Sequence, residues 1–269
     1  MRTDRGLHSV FERTLHEERR ALVAWSVGMV ALLAWMLAMY PTVRDSSAMG
    51  SLTEEFPDAM KELFGLVDYT TGPGYLRAEV FSFTVPVLLV VVALLWGSDA
   101  VAGEEERGTL DLLLANPLPR RRLVAHKLAG VAAAIGIVGV VVFVVLAAGS
   151  PVAGLEVAVG RLAGTVAACV LLAVLYAAVA LALGAATGRR GLARGVTAAL
   201  AVAAYLVSQL AGLVSWLRPW RWASPWHHAL GVDPLGKGVE PWRLALLAAL
   251  TALVAAAGAE AFERRDLST

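Results

Sequence analysis

Six long apolar runs separated by shorter polar stretches set the pattern of this chain, at about 21–40, 80–98, 128–149, 162–186, 196–214 and 244–261. A helix rises about 1.5 Å per residue, so about 20 apolar residues cross a hydrocarbon layer about 30 Å thick. Each run is long enough. Backbone N–H and C=O groups find no partners in lipid, which leaves the helix, with all its bonds internal, as the form such runs adopt. The pattern therefore predicts an all-α integral membrane protein: six transmembrane helices in one domain over residues 21–269, preceded by a separate element at 1–20.

That first element has Leu7, Val10, Phe11, Thr14 and Leu15 at helical spacing, with Arg5, Glu12, Arg13, Glu17 and Arg20 on the other face. This is the signature of an amphipathic helix at the membrane interface. It serves either to lie in the lipid headgroups or to dock a partner. The polar stretch 41–79 carries Asp45, Glu54, Glu55, Asp58, Glu62 and Asp68, and Pro57 followed by Met60, Leu63, Phe64 and Gly65 predicts a short helix there. The stretch 215–243 contains Trp216, Trp220, Trp222, Trp226 and Trp242 among four prolines. Tryptophan favours the headgroup level, so this stretch is a re-entrant or surface-lying cap or an ordinary anchor belt.

Composition agrees: of 269 residues, 58% are hydrophobic and 17% charged, and the net charge of +1 gives no nucleic-acid footprint. Basic residues gather at the ends of the apolar runs. Fifteen lie in the N-terminal segment, the second-to-third and fourth-to-fifth loops and the C-terminal tail, against eight on the other side. Positive flanks stay in the cytoplasm, so both termini are expected inside. The first apolar run follows a stretch bearing Glu12, Glu17 and Glu18, which predicts a retained span rather than a cleaved signal. Cys169, the single cysteine, lies inside an apolar run and supports neither a disulfide framework nor a cysteine zinc site.

The most informative stretch is the cytoplasmic loop 100–127. It carries Glu104, Glu105, Glu106 and Arg107, then Gly108, Thr109 and Leu110, then Leu113 and Leu114, with Asn116 and Pro117 as a stop. Three glutamates suit a helix start, where free N–H groups favour negative charge, and the leucines then share one face. That face needs cover from lipid, from the chain's own helices or from a soluble partner, and the adjacent acids speak against lipid.

On these residues the chain resembles the ABC-2-type permeases of ABC exporters, whose loop after the second span has a Gly-Glu-x-Glu-x-Gly-Thr-Leu-x-x-Leu-Leu core, a Pro, an Arg and then a Lys opening the third span. Gly103, Glu104, Glu106, Gly108, Thr109, Leu110, Leu113, Leu114, Pro117, Arg120 and Lys127 match. The resemblance continues at Ser224-Pro225, at Asp233-Pro234-Leu235 and at 262–267, and so covers nearly the whole chain. It implies a transmembrane subunit in the cell membrane that pairs with a second permease subunit, as homodimer or heterodimer, and sits on cytoplasmic ABC ATPase subunits. It implies that the loop is a coupling helix, with Glu104, Glu105, Glu106 and Arg107 in charged contacts and Leu110, Leu113 and Leu114 in the ATPase cleft. ATP and Mg would be bound by the ATPase, with no cofactor in this chain.

No Gly-x-x-x-x-Gly-Lys-Ser/Thr loop occurs, and the three lysines, Lys61, Lys127 and Lys237, stand in no such setting. An intramembrane metal-dependent protease is the rival suggested by the glutamates and by His227 and His228, but charge counting places these groups a bilayer apart. An accessory structural protein is the third reading. Asp99 and Arg161 fall at span ends, and Tyr176, Ser208 and Gln209 are mild polar groups within spans, which argues against an ion-coupled pump. Gln209 is the one candidate for a substrate path. Gly160 with Gly164, and Gly184 with Gly188, permit close helix approach. An interior with few charges suits a hydrophobic or amphipathic cargo such as a drug, antibiotic or lipid.

Overall fold

A computed structural model of the chain describes residues 19–46, 69–108, 119–231 and 233–265. The N-terminal amphipathic segment up to residue 18, the short helix expected near 57–65, and Thr109, Leu110, Leu113 and Leu114 lie outside the described residues. Arg19 and Arg20 open the first span rather than close the segment before it.

The described residues form six helices of membrane-crossing length: α1 (Arg19–Arg44), α2 (Gly72–Glu106), α3 (Arg120–Ala153), α4 (Val159–Thr187), α5 (Arg190–Leu210) and α8 (Pro241–Arg264). Between the last two lie a 3-10 helix (Ser215–Ala223), α6 (Pro225–Ala229) and α7 (Pro234–Lys237). The six spans stand where the apolar runs predict them, with longer ends except that α5, expected to reach 214, stops at Leu210. The loop expected over 41–79 loses Pro41–Arg44 to α1 and everything from Gly72 to α2, and the loop expected over 215–243 ends where Pro241 opens α8. Hydropathy trims charged helix ends that tertiary pairing keeps helical.

Helix α4 is the centre. In its most apolar stretch 61% of residues are buried, against 17% in α1 and in α5, and it packs against α2, α3, α5 and α8. Every residue from Leu172 to Ala178 is buried, as expected of a helix apolar all round. Lipid tails are as apolar as leucine, so hydrophobic burial gives little drive for helices to associate, and close backbone contact has to supply it. Small residues make that contact. A Cβ at Gly97 of α2 would stand 2.5 Å from the carbonyl oxygen of Ala177 in α4, and one at Gly258 of α8 would stand 2.6 Å from Ala182 Cβ. Gly184 of α4 faces Ala102 of α2, so one half of the Gly184 and Gly188 pair serves internal packing, while around Gly160 the space is open. Helix α1 is peripheral, laying Met29, Leu33 and Leu37 against α3, where Leu37 fills the space over Gly149.

Two wide π-helical stretches interrupt α2, at Leu76–Thr84 and Asp99–Gly103. Pro86 follows the first; it cannot donate to the preceding turn and its ring crowds it, which favours a widened helix there.

Residues 211–231 and 233–240 cap the end of the bundle at which α1 and α5 finish. Trp226 is buried and its Nε1 donates to the carbonyl of Ala201 at 3.1 Å, while Ser224 Oγ donates to that of Ala204 at 2.7 Å, tying the cap to α5. Asp233 accepts from the backbone N–H of Gly236 and pairs with Arg77 of α2 at 3.1 Å. His227 and His228 are both buried beside Trp222. Burial, with Arg221, Arg243 and His228 nearby, holds the His227 imidazole down from its ordinary 6.5 to about 4.

Gly97→Val drives a side chain into the Ala177 backbone, which cannot yield, and should cost about 3 kcal/mol or abolish folding. Gly136→Val, where nothing lies within 4 Å, should leave the melting temperature in detergent unchanged. His227 takes up a proton more readily unfolded than folded, so stability is full above about pH 6.5, declines as pH falls toward about 4, and is level below that. In thermal melts across this range, His227→Gln should remove that part of the pH dependence.

Candidate functional site

At the opposite end of the bundle, charged residues from most of the helices meet. Asp99 lies in the second π stretch of α2, alongside Gly103, where an added Cβ would come within 2.6 Å of its Cγ. One carboxylate oxygen accepts from Arg190 Nη1 of α5 at 2.9 Å, with Arg194 at 3.8 Å, and the other accepts from Arg107 Nη1 at 2.9 Å. Ser98, fully buried one residue earlier, accepts from Arg194 Nε at 2.8 Å.

The three glutamates finish α2 rather than start a new helix. This corrects the reading of Glu104, Glu105 and Glu106 as an N-terminal turn: the π stretch carries α2 through Asp99–Gly103 to Glu106, and Gly108 then turns the chain with φ 68°. Loop 100–127 is shorter than expected for the same reason, since α2 runs to Glu106 and α3 starts at Arg120.

Each glutamate has its own cationic partner on a different helix. Glu104 pairs with Lys127 of α3, with side chains only 7% and 4% exposed. Glu105 pairs with Arg265, just beyond α8, whose guanidinium also donates to the carbonyl of Ala185 in α4 at 2.9 Å. Gly188 makes that reach possible: its φ of 66° turns the chain out of α4, and a Cβ there would stand 2.9 Å from the Arg265 guanidinium carbon. Glu106 pairs with Arg190 at 3.2 Å and accepts from that residue's backbone N–H at 3.0 Å, placing a carboxylate on the positive N-terminus of α5. Arg120 completes the lacing from α3: it donates to the carbonyls of Phe262 and Arg265 at 2.9 and 2.8 Å and lies over the Phe262 ring. Exposed Arg121 adds Glu260 and Glu263 of α8.

The cluster thus joins the ends of α2, α3, α4, α5 and α8 around the two points where the 109–118 segment leaves and rejoins the bundle. Buried Glu104 is occupied inside the chain and presents no charge to a docking surface, whereas Glu106, Arg107 and Gly108 are exposed.

A family model described as ABC-2 family transporter protein matches residues 9–267. The chain belongs to the ABC-2 transporter family. No curated relative matches it. As an ABC-2 transporter chain with six spanning helices it is a multi-pass protein of the cell membrane.

The structure separates the residues of the ABC-2 resemblance into two groups. Gly103, Glu104, Glu106, Gly108, Arg120 and Lys127 converge on the ion-paired end, as do Phe262, Glu263 and Arg265 of the tail. Ser224 and Asp233 anchor the cap at the other end. Lys127, which the ABC-2 resemblance places at the opening of the third span, is the partner of Glu104, and no local pattern marks it, Arg190, Arg194 or Arg265 as partners of these acids. The alternation of six spans was the available signal, since it brings these cations to the same end as the acids. Gln209 is half-buried near the end of α5. The glutamates and the two histidines lie at opposite ends of the bundle. Among the described residues no group of three or more His, Cys, Asp or Glu side chains is placed to hold a metal ion.

The buried pair gives a sharp test. Lys127→Met strands the Glu104 carboxylate and Glu104→Leu strands the Lys127 ammonium; each single change should cost about 3–5 kcal/mol. Combining the two should recover most of the loss, measured as detergent melting temperature, because two apolar side chains then replace two charges.

Proposed function

We propose that this chain is the permease subunit of an ABC exporter, moving a hydrophobic or amphipathic substrate such as a drug, antibiotic or lipid outward. A separate ATPase chain, binding ATP and Mg, hydrolyses the nucleotide. On this reading the ion-paired end and both termini face the cytoplasm, as the charge distribution favours, and a second permease subunit completes the route. The observation that carries the reading is the convergence of five helices on the base of the 109–118 segment. A segment that passes force from a moving ATPase needs a stiff attachment to the spans, and paired charges at low dielectric supply one.

Within this proposal Leu110, Leu113 and Leu114, with Thr109, occupy the ATPase cleft. Glu106, Arg107 and Gly108 border it. Glu104 and Glu105 act from behind, holding α2 to Lys127 and Arg265 so that movement of the segment reaches α3, α4 and α8. Family membership supports an ATPase partner, and the lack of a phosphate-binding loop in this chain agrees with hydrolysis elsewhere.

The test joins assembly to turnover. Leu110→Asp combined with Leu113→Asp should release the ATPase from membranes, or leave its ATP turnover insensitive to transported substrate, with the permease's own melting temperature unchanged. Full coupled transport in proteoliposomes containing this double variant would overturn the coupling role. Movement of small inorganic ions alone would overturn the substrate class.

A further inference from the structure

The cap carries a second polar constellation. Beside the end of α5 lies a depression of about 430 Å³ lined by Ala211, Gly212, Arg218, Pro219, Arg221 and Trp222. None of these is acidic. Arg218 and Arg221 are exposed, and at spacing three on a 3-10 helix they share one edge. Trp222 forms a wall, and against its ring sits Arg243, only 5% exposed, its guanidinium carbon 5.8 Å from the Trp222 ring and 4.7 Å from that of Trp242. Arg243 Nε donates to Glu240 at 2.5 Å, but Nη1 is buried with no hydrogen-bond partner. His228 Nε2 donates to the Trp222 carbonyl at 2.7 Å and so holds this wall in place. A buried guanidinium N–H without an acceptor is costly, and here it belongs to an arginine that shares the Trp222 ring with Arg221, whose guanidinium carbon is 5.5 Å from the same ring.

The depth of the site in the membrane follows from its tryptophans. Trp216, Trp220 and Trp222 are 68%, 61% and 50% exposed on the same 3-10 helix, which marks the headgroup level. At that level the abundant ligand bearing hydrogen-bond acceptors and negative charge is the lipid phosphate. Arginine binds phosphate through paired N–H donors. A choline headgroup, by contrast, would bring its cation against Arg218 and Arg221 with no carboxylate in the depression to receive it.

We propose that this depression is a binding site for the phosphate of an anionic phospholipid, held by Arg218 and Arg221 against Trp222, with the buried Arg243 guanidinium beside the same ring adding positive charge. The site lies at the opposite end of the bundle from the ion-paired cluster and uses none of its residues, so it stands independently of the transport reading. Its role is to seat the cap on a negatively charged leaflet.

The full chain in a neutral detergent is titrated with a short-chain phosphatidylglycerol below its micelle concentration and followed by tryptophan fluorescence. Parallel titrations use short-chain phosphatidylcholine and inorganic phosphate. The expected result is saturable binding of phosphatidylglycerol, at least tenfold tighter than phosphatidylcholine, with inorganic phosphate weaker than either. Replacing Arg218 and Arg221 by Gln should weaken phosphatidylglycerol about thirtyfold, each basic side chain near a charged surface contributing on the order of fivefold. Both residues are exposed, so the melting temperature should not move. Equal binding of the two lipids, unchanged affinity in the double variant, or inorganic phosphate binding as tightly as phosphatidylglycerol would each overturn the assignment.

Discussion

A charge carried to the edge of the hydrocarbon must find an opposite charge, and the buried pair between Glu104 and Lys127 is where this chain meets that demand most strictly. Both side chains are almost fully removed from solvent, so each is tolerated only while the other stays in place. The pair fixes the end of α2 against α3. Once α2 is fixed, Asp99, Glu105 and Glu106 are held at distances at which Arg190, Arg194 and Arg265 can close on them. The helices that carry those arginines are thereby gathered to the same end.

Between the two polar ends the bundle relies on a different kind of contact. Helix α4 is surrounded, and its neighbours approach it through Gly97, Gly184 and Gly258, where bare backbone replaces side chain. These contacts tolerate little: an added methyl group at Gly97 or Gly258 meets backbone or a neighbouring Cβ that cannot move aside, and at Gly184 it presses on Ala102. The ion-paired end and the glycine contacts reinforce each other, because close helix approach brings Asp99 and Glu105 within reach of short contacts to α5 and to the end of α8. Helices α1 and α5 are held more loosely and expose apolar side chains such as Val27, Trp35, Leu200 and Val202 to the surroundings of the bundle.

The two ends have opposite character. At one, acids and bases balance locally and lock helices together. At the other, arginines on an exposed, tryptophan-bearing helix exceed the acids beside them, and a buried imidazole and a buried guanidinium both lie against one indole. One end is built for internal cohesion and the other faces the membrane interface.

Much of this was legible in the sequence. Span number and helical class follow from the length of the apolar runs, because lipid leaves a backbone no alternative to the helix and so makes hydropathy a nearly sufficient signal. Pairing was not legible in the same way. Glu104, Glu105 and Glu106 read locally as a helix start, since local rules see a charge and a dipole but not Lys127, Arg265 and Arg190 arriving from 23, 160 and 84 residues away. The sequence by itself determined how often the chain crosses the membrane and where its charges gather. Only the tertiary structure decided which acid meets which base, and that α2 continues through its glutamates to end among them, because an ion pair is a property of two surfaces brought together and neither surface carries its partner's address.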